Sequence, residues 1–244
     1  MAFTVLSYNI QEGGGGRLPL IVGVIRGQHP DAVALLEANS RANAEALAHD
    51  LGMHLAYGDA NSAYAAAWLS RLPIQRIENH RLAVLAKTLL EVEVSWEGTP
   101  LRLFTTHLAS RHDAARPEEE VSAILDILRP HAGQPYLLTG DLNALRPGDP
   151  VGTLPTGVEL RGEARPGAPR RTIGLIVDAG YTDCYRVLHP EAPGYTYSSD
   201  APWLRLDYIF ASPRLATRLA ACDVIGEGEA RRASDHLPLW VEFA

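Results

Sequence analysis

The alternation of apolar and polar positions changes period several times along the chain, and each change predicts an element. FTVLSYN (residues 3–9) and DAVALLE (31–37) are short, nearly continuous apolar runs, the mark of buried strands, and they end on Asn9 and Glu37. A helix is expected between them over about 18–28, and SRANAEALAHDL predicts another with Ser40 as its N-cap. Strands are then predicted near 53–58, 63–70, 74–80, 88–96 and 100–106, consecutive and hairpin-like. From Pro117 the period becomes 3.6, because Val121, Ile124, Leu125 and Leu128 fall at i, i+3, i+4 and i+7. Pro117 suits the first helical position, and Glu118 to Glu120 suit the positive end of that helix. The remainder reads as a strand in PYLLTGD, a Pro/Gly-rich stretch over 146–169, a short helix near 171–179, a strand LRLDYIF (204–210), and a last pair near 220–226 and 237–243. The fold expected is α/β (α+β), a four-layer sandwich of two packed, mixed but mainly antiparallel β-sheets with helices on the outer faces.

Composition narrows this picture without overturning it. No linker-like break or internal repeat divides the 244 residues, and one α/β domain can be this long, so residues 1–244 are expected to form a single domain. A hydrophobic share of 46% against 21% charged supplies a full core and excludes a disordered or fibrous chain. The 22 basic and 29 acidic residues leave a net charge of -7, which disfavours nonspecific coating of duplex nucleic acid. Cys184 and Cys222 show no metal-ligand spacing, so neither a disulfide scaffold nor a zinc site is indicated, and a reducing compartment is expected. MAFTVLSYNIQEGGGG lacks a basic segment followed by an apolar core, and no apolar run approaches a membrane span. The expectation is a soluble, cytoplasmic protein, taken as a monomer.

Chemistry enters at the strand ends. Asn9, Glu37, His107 in FTTHL, Asp141 and Asn143 in TGDLN, Asp207 in RLDYIF, and Asp235 with His236 in SDHLP terminate or adjoin predicted strands, where a rigid scaffold can aim them into one cleft. The set is acidic, amide and imidazole, with no exposed Ser or Cys nucleophile. Such oxygen-rich donors suit a hard cation, Mg²⁺ or Mn²⁺, which takes one or two carboxylates and completes its shell with water and substrate phosphate. Asp235 and His236 are chain neighbours, yet Pro238 biases this stretch to an extended form in which successive side chains point opposite ways. Asp235 is therefore badly placed to hold His236, and each needs a partner from elsewhere.

Taken in order, LSYNI, LLEAN, WLSRLPI, TTHL, TGDLNA, RLDYIF and SDHLP resemble the endonuclease/exonuclease/phosphatase superfamily, with its deoxyribonuclease I-like fold, over residues 5–238. The resemblance implies a divalent-metal-dependent phosphoesterase. It implies Glu37 as the principal metal ligand with Asn9 beside it, and Asp235 on the metal or water side. It further implies that Asp141 and Asn143 orient or activate the attacking water, that Asp207 holds the imidazole of His236, and that His107 faces the phosphate. Phosphate esters demand accelerations approaching or beyond ~10¹⁷-fold, of which general acid-base groups supply about 10²- to 10⁴-fold. The rest must come from a metal and fixed donors that meet the charge of the in-line transition state. The expected mechanism is attack on phosphorus by a water activated by the metal or by Asp141, with His107 and His236 stabilising the phosphoryl oxygens. A carboxylate partner raises the pKa of His236 and favours a donor role at neutral pH, but the sequence leaves base and donor both open.

Specificity is carried by loops. The substrate class expected is a phosphodiester, either short or single-stranded nucleic acid or a small phosphodiester. The same superfamily chemistry also serves phosphomonoesterases, sphingomyelinases and inositol phosphatases. A noncatalytic binding module on this fold is the rival of another class, disfavoured by the intact set of Glu37, Asp141, Asn143, Asp207 and His236. Candidate substrate-binding residues are Arg116, where many family members carry arginine, with Arg170, Arg171 and Trp203. Arg146, Arg161, Arg165, Arg231 and Arg232 could join them in a positive rim, against the plainer reading of a solvated loop. Tyr195, Tyr197 and Trp203 either stack on a base or pack beneath the loop, and packing is preferred. Gly13 to Gly16 lack the residues that complete a phosphate cradle and read as a flexible loop near the cleft, while the His-Asp dipeptides at 49 and 112 read as incidental.

Overall fold

Strands buried on both faces read as continuous apolar runs. The computed structural model, which describes residues 1–110, 116–160 and 162–244, shows that this chain is built that way. In chain order the first elements are β1 (Phe3–Asn9), α1 (Leu18–Gln28), β2 (Ala32–Leu36), α2 (Arg41–Leu51), β3 (His54–Gly58) and β4 (Ala66–Ser70). They are followed by β5 (Arg76–His80), β6 (Leu89–Trp96), β7 (Thr99–His107), α3 (Pro117–Leu128) and β8 (Tyr136–Asp141). Then come α4 (Arg171–Asp178), β9 (Thr182–Asp183), α5 (Cys184–Leu188), β10 (Asp207–Ala211), α6 (Pro213–Ala216), β11 (Leu219–Val224), α7 (Ala230–Ala233) and β12 (Leu239–Phe243). Two six-stranded sheets result, ordered β11-β12-β1-β2-β4-β3 and β5-β6-β7-β8-β10-β9. Both are mixed: β1 runs parallel to β2 and β7 to β8, each across a helical crossover, and the other pairings are antiparallel.

Period-2 alternation divides each central strand between two cores. Phe3 and Val5 of β1 pack with Leu103, Leu137 and Ile209 between the sheets, whereas Leu6 and Tyr8 pack outward with Ile21, Ile25 and Leu47 of α1 and α2. On the second sheet, Phe104, Leu138 and Tyr208 pack outward with Val121, Ile124 and Ile173 of α3 and α4. The expected four layers are thus present. Ser40 caps α2 as expected, its Oγ accepting from Asn43 N at 3.2 Å, and Pro117 opens α3. No helix among the described residues is long and apolar enough to cross a membrane.

Three details differ from the expectation. The run of predicted hairpins is not one sheet: β3 and β4 belong to the first and β5 to β7 to the second, because the chain crosses over between Ser70 and Arg76. LRLDYIF is a strand only from Asp207, since Leu204 bridges to Tyr197 instead. The helices α5, α6 and α7 were not foreseen, being too short to show a period.

Parity along the strands sets up the site. Asn9 continues the inward face of Phe3, Val5 and Ser7, and His107 continues that of Leu103 and Thr105. Asp141 and Asp207 are inward by the same count and sit opposite each other in the β8–β10 register, with His107 beside Asp141 across β7–β8. The inter-sheet core therefore changes from apolar to polar toward one edge. Gly140 makes the approach possible, since a Cβ there would lie 1.8 Å from Thr106 O.

Candidate active site

Polar side chains from both sheets meet at this edge. Asn9 Nδ2 donates to Glu37 Oε1 at 3.2 Å and to Asp141 Oδ2 at 3.1 Å, so one amide ties the first sheet to the second. Asn9 Oδ1 accepts from Gln11 N at 3.0 Å, Glu37 Oε2 from Glu12 N at 2.9 Å, and Asp141 Oδ1 from Asn143 N at 3.0 Å. Asn9 thus presents its nitrogen, not its oxygen, to the two carboxylates. A second tie runs through His236, whose Nδ1 lies 2.8 Å from Asp207 Oδ2 and whose Nε2 lies 3.6 Å from Asp141 Oδ2. The carboxylate bonded to His236 is that of Asp207, while Asp235 Oδ1 accepts from Ser234 Oγ at 3.4 Å. The neighbours in SDHLP have separate partners, as an extended segment requires.

Local backbone conformation fixes the remaining donors. Glu37 and Asn143 adopt left-handed φ values of 54° and 48°, conformations that persist only where the surroundings hold them. Glu37 O accepts from Gly13 N at 2.7 Å and Asn39 N at 2.8 Å, so the glycine run is a support beneath Glu37. Gly13 and Gly14 are buried and Gly15 and Gly16 exposed, so the first half of that run is packed and only its second half remains an exposed turn. Asn143 Nδ2 donates to Leu108 O at 3.1 Å and lies 3.0 Å from His107 Nε2. Because that ring nitrogen accepts from Asn143, it cannot also donate to Asp141 Oδ2, 3.5 Å away, and the shorter contact decides the tautomer.

Burial disfavours an imidazolium at His236, but the Asp207 and Asp141 carboxylates beside it prevail and push its pKa up to about 10. Asp235 is raised by burial first; the charge of His236 opposes this, and the carboxylates of Glu37 and Asp141 add to it. The cleft, about 960 Å³, is lined by Glu37, Asp141 and Asp235 but by no arginine among the described residues. Asp141, Asp207 and His236 also bring one ligand atom each within 4.8 Å of one another, a spacing that could hold an ion. The His236 nitrogen is committed to Asp207, however, and a cationic ring is not a ligand. The carboxylates of Glu37, Asp141 and Asp235, which line the same cleft, offer the oxygen donors that a hard divalent cation prefers.

A family model described as Endonuclease/Exonuclease/phosphatase family matches residues 6–236. The chain belongs to this family. Solved structures similar to this endonuclease/exonuclease/phosphatase family member include a 3′ phosphatase from Neisseria bound to product DNA hairpin (22% identity, 99% of each chain, TM-score 0.81). An AP endonuclease from Archaeoglobus fulgidus (20% identity, 99% of each chain, TM-score 0.75) shares the fold. So does humanized D. rerio TDP2 (20% identity, 100% of this chain and 99% of that one, TM-score 0.74). No curated protein sequence matches the family member significantly.

The eight strand-end residues expected in the family's site all come together here, whereas the candidate substrate-binding arginines do not join them. Arg116, Arg146, Arg170 and Arg171 line a neighbouring cavity rather than this cleft. Arg231 NH1 donates to Ser199 O at 3.0 Å and its Nε to Gly226 O at 3.0 Å, so it braces a loop. Trp203 is buried at 7% exposure, packing with Leu145, Leu204 and Leu206 while lining the cleft. Tyr197 lies against His236, ring centroids 4.9 Å apart. Arg161 and the His-Asp pair at 112 lie outside the described residues.

Two groups escaped the sequence reading. Lys87, buried at 2% exposure, lines the cleft and donates from Nζ to Leu108 O at 2.9 Å; its signal was its being the chain's single lysine. Buried Arg205 grips Asp183 bidentately at 2.9 and 2.7 Å and Asp149 at 2.7 Å, pinning the cleft wall just before Asp207. These partners lie 22 and 56 positions away, which no local pattern reveals.

Proposed function

We propose that this protein is a divalent-metal-dependent phosphodiesterase that hydrolyses its substrate by in-line attack of an activated water. The observation that carries this reading is the pair of polar ties across the sandwich, Asn9 between Glu37 and Asp141, and His236 between Asp207 and Asp141. Together they hold base and donor in one geometry before substrate arrives.

Glu37 and Asp235 would hold Mg²⁺ or Mn²⁺, with Asn9 orienting Glu37 as a hydrogen-bond donor. Bound there, a divalent cation offsets charge developing on the phosphoryl oxygens. Asp141, fixed by Asn143 N and Asn9 Nδ2, accepts the proton of the attacking water at Oδ2; as the new P–O bond forms, the ester oxygen opposite it departs and takes up a proton from solvent. His236 is an imidazolium at neutral pH, since its pKa is pushed up to about 10, and it donates from Nε2 to a phosphoryl oxygen. His107 faces the same group, positioned by Asn143. Short or single-stranded nucleic acid or a small phosphodiester is the substrate class, supported by the family and by a structurally similar 3′ phosphatase bound to product DNA hairpin.

Hydrolysis of bis(p-nitrophenyl) phosphate tests the reaction class. Turnover is expected with Mg²⁺ or Mn²⁺, none with excess chelator, and a loss of about 10³-fold or more in Asp141→Ala. Equal turnover in chelator would overturn the reading.

A further inference from the structure

Arg116, Arg146, Arg170 and Arg171 converge on a second cavity, and this gives them a different use. The cavity is about 700 Å³ and lies between the first turn of α3 and the length of α4. Arg116 reaches it from the start of α3, Arg146 from the loop after β8, and Arg170 and Arg171 from the start of α4. It adjoins the catalytic cleft directly: Glu118 lines both, and Arg116 and Arg171 line the cavity while their chain neighbours Pro117 and Thr172 line the cleft.

The state of each cation matters more than the number. Arg170 NH1 donates to the carbonyl oxygens of Arg146, at 3.1 Å, and of Asp149, so its guanidinium is fixed in place, and among the described residues it has no ion-pair partner. Arg171 is exposed and has no ion-pair partner among the described residues. Arg116 meets Glu119 at 3.7 Å, both side chains mostly exposed, a pairing that contributes little and yields readily to a stronger anion. Arg146 is the committed member, its Nε 3.5 Å from Asp183 Oδ2. Glu118, Glu119 and Asp178 also line the cavity, but the two glutamates lie in the first turn of α3, where the helix end offsets part of their charge. A fixed and unpaired positive group on a molecule of net charge -7, beside a phosphate-cleaving site, is a place for phosphate and not for a polyanion at large.

We infer that this cavity binds a second, non-scissile phosphate of the substrate, so that the preferred substrate carries at least two phosphate groups. This rests on the phosphodiesterase reading of the cleft and names the substrate feature that reading leaves open. The second phosphate could belong to the next nucleotide of a single strand or to a polyphosphorylated small molecule.

The test compares wild type with the double variant Arg116→Gln, Arg171→Gln, both exposed positions, with circular dichroism as the control for folding. With Mg²⁺ present, kcat/KM is measured for a single-stranded octanucleotide and for bis(p-nitrophenyl) phosphate, which has one phosphate. The ratio of the first to the second is expected to fall about tenfold in the variant, mainly through KM, the equivalent of one lost charge-assisted contact. An unchanged ratio overturns the inference. If wild type hydrolyses neither compound, the phosphodiesterase reading fails, and the cavity is still tested by fluorescence anisotropy of the labelled octanucleotide. There the variant should bind about tenfold more weakly, and equal affinity overturns the inference. Competition by inositol hexakisphosphate distinguishes the sources: inhibition of the wild type that weakens in the variant supports a small polyphosphate, and weakened oligonucleotide binding alone supports the nucleotide strand.

Discussion

A cation removed from water costs several kcal/mol unless its surroundings repay it, so the burial of Lys87 in the cleft wall calls for a reason. Its Nζ shares the carbonyl of Leu108 with Asn143 Nδ2, and that amide in turn faces His107 Nε2. It also lies 5.7 Å over the ring of Tyr64, which is edge-on to His107 at 6.1 Å. Lys87 is thus a positioning residue for the His107–Asn143 pair, and the one lysine or arginine that lines this carboxylate-rich cleft among the described residues. Lys87→Met is expected to lower kcat by about 10- to 100-fold, the equivalent of roughly 1.5–3 kcal/mol for a hydrogen bond from a charged group. Lys87→Arg should restore part of the loss, since it keeps the charge but not the compact head. Steady-state kinetics beside thermal melting separate the two effects; a kcat that tracks stability alone across both variants would leave Lys87 no role in the site. The residues that the sequence does reveal are those that interrupt a pattern. Asn9, Glu37, His107 and Asp141 are legible because each ends an apolar run with a polar group, and Asp207 because it puts a charge inside one, whereas Arg205 sits in ordinary alternation and Lys87 in the segment just before a strand.

Elements were legible to the extent that both faces of a strand are apolar. β1, β2 and β8 stand out for that reason, and α3 for its period. Which sheet a strand joins is not a local property, so the crossover between β4 and β5 was hidden. The outer strands of the second sheet show what else stays hidden. Buried Glu91 of β6 pairs with His80 Nε2 of β5 at 2.9 Å and with Arg102 Nε of β7 at 3.3 Å, a cross-strand network that fixes three strands together. Burial would raise the pKa of Glu91, but the hydrogen bond from His80 and the charges of Arg76 and His80 hold it below the usual carboxylate range. A lowered folded-state pKa means that this pairing stabilises fully above the unfolded value, near ~4.5, and is lost as pH falls through the folded one. Glu91→Gln should therefore cost about 1–3 kcal/mol at pH 7, as breaking a buried charged hydrogen bond does. The penalty relative to wild type should shrink toward pH 3. Urea unfolding at the two pH values measures this, and a pH-independent penalty would show that Glu91 acts through packing instead.

At the scale of the whole molecule the question is how a chain of net charge -7 would keep a site proposed to cleave phosphate esters usable. The site answers by drawing carboxylates from both sheets to one edge: Glu37 and Asp235 from the first, Asp141 from the second. Burial is the main cause of the raised pKa of Asp235, and the charges of Glu37 and Asp141 add to it, so three carboxylates crowded at the place where the halves are tied weaken the metal-free sandwich. A divalent cation held by Glu37 and Asp235 would relieve that crowding, so binding and folding are linked. Saturating Mg²⁺, at about 100 times its Kd, should stabilise the wild type by about 2.7 kcal/mol, on the order of 5–10 °C in Tm for a chain of this length. Glu37→Gln keeps the shape and removes one charge. It is expected to melt no lower than wild type in chelator and to lose most of the Mg²⁺-dependent rise. Differential scanning calorimetry with chelator and with Mg²⁺ decides the matter. A full Mg²⁺ shift in Glu37→Gln would place the cation elsewhere, on the Asp141, Asp207 and His236 group, and would return His236 from donor to ligand.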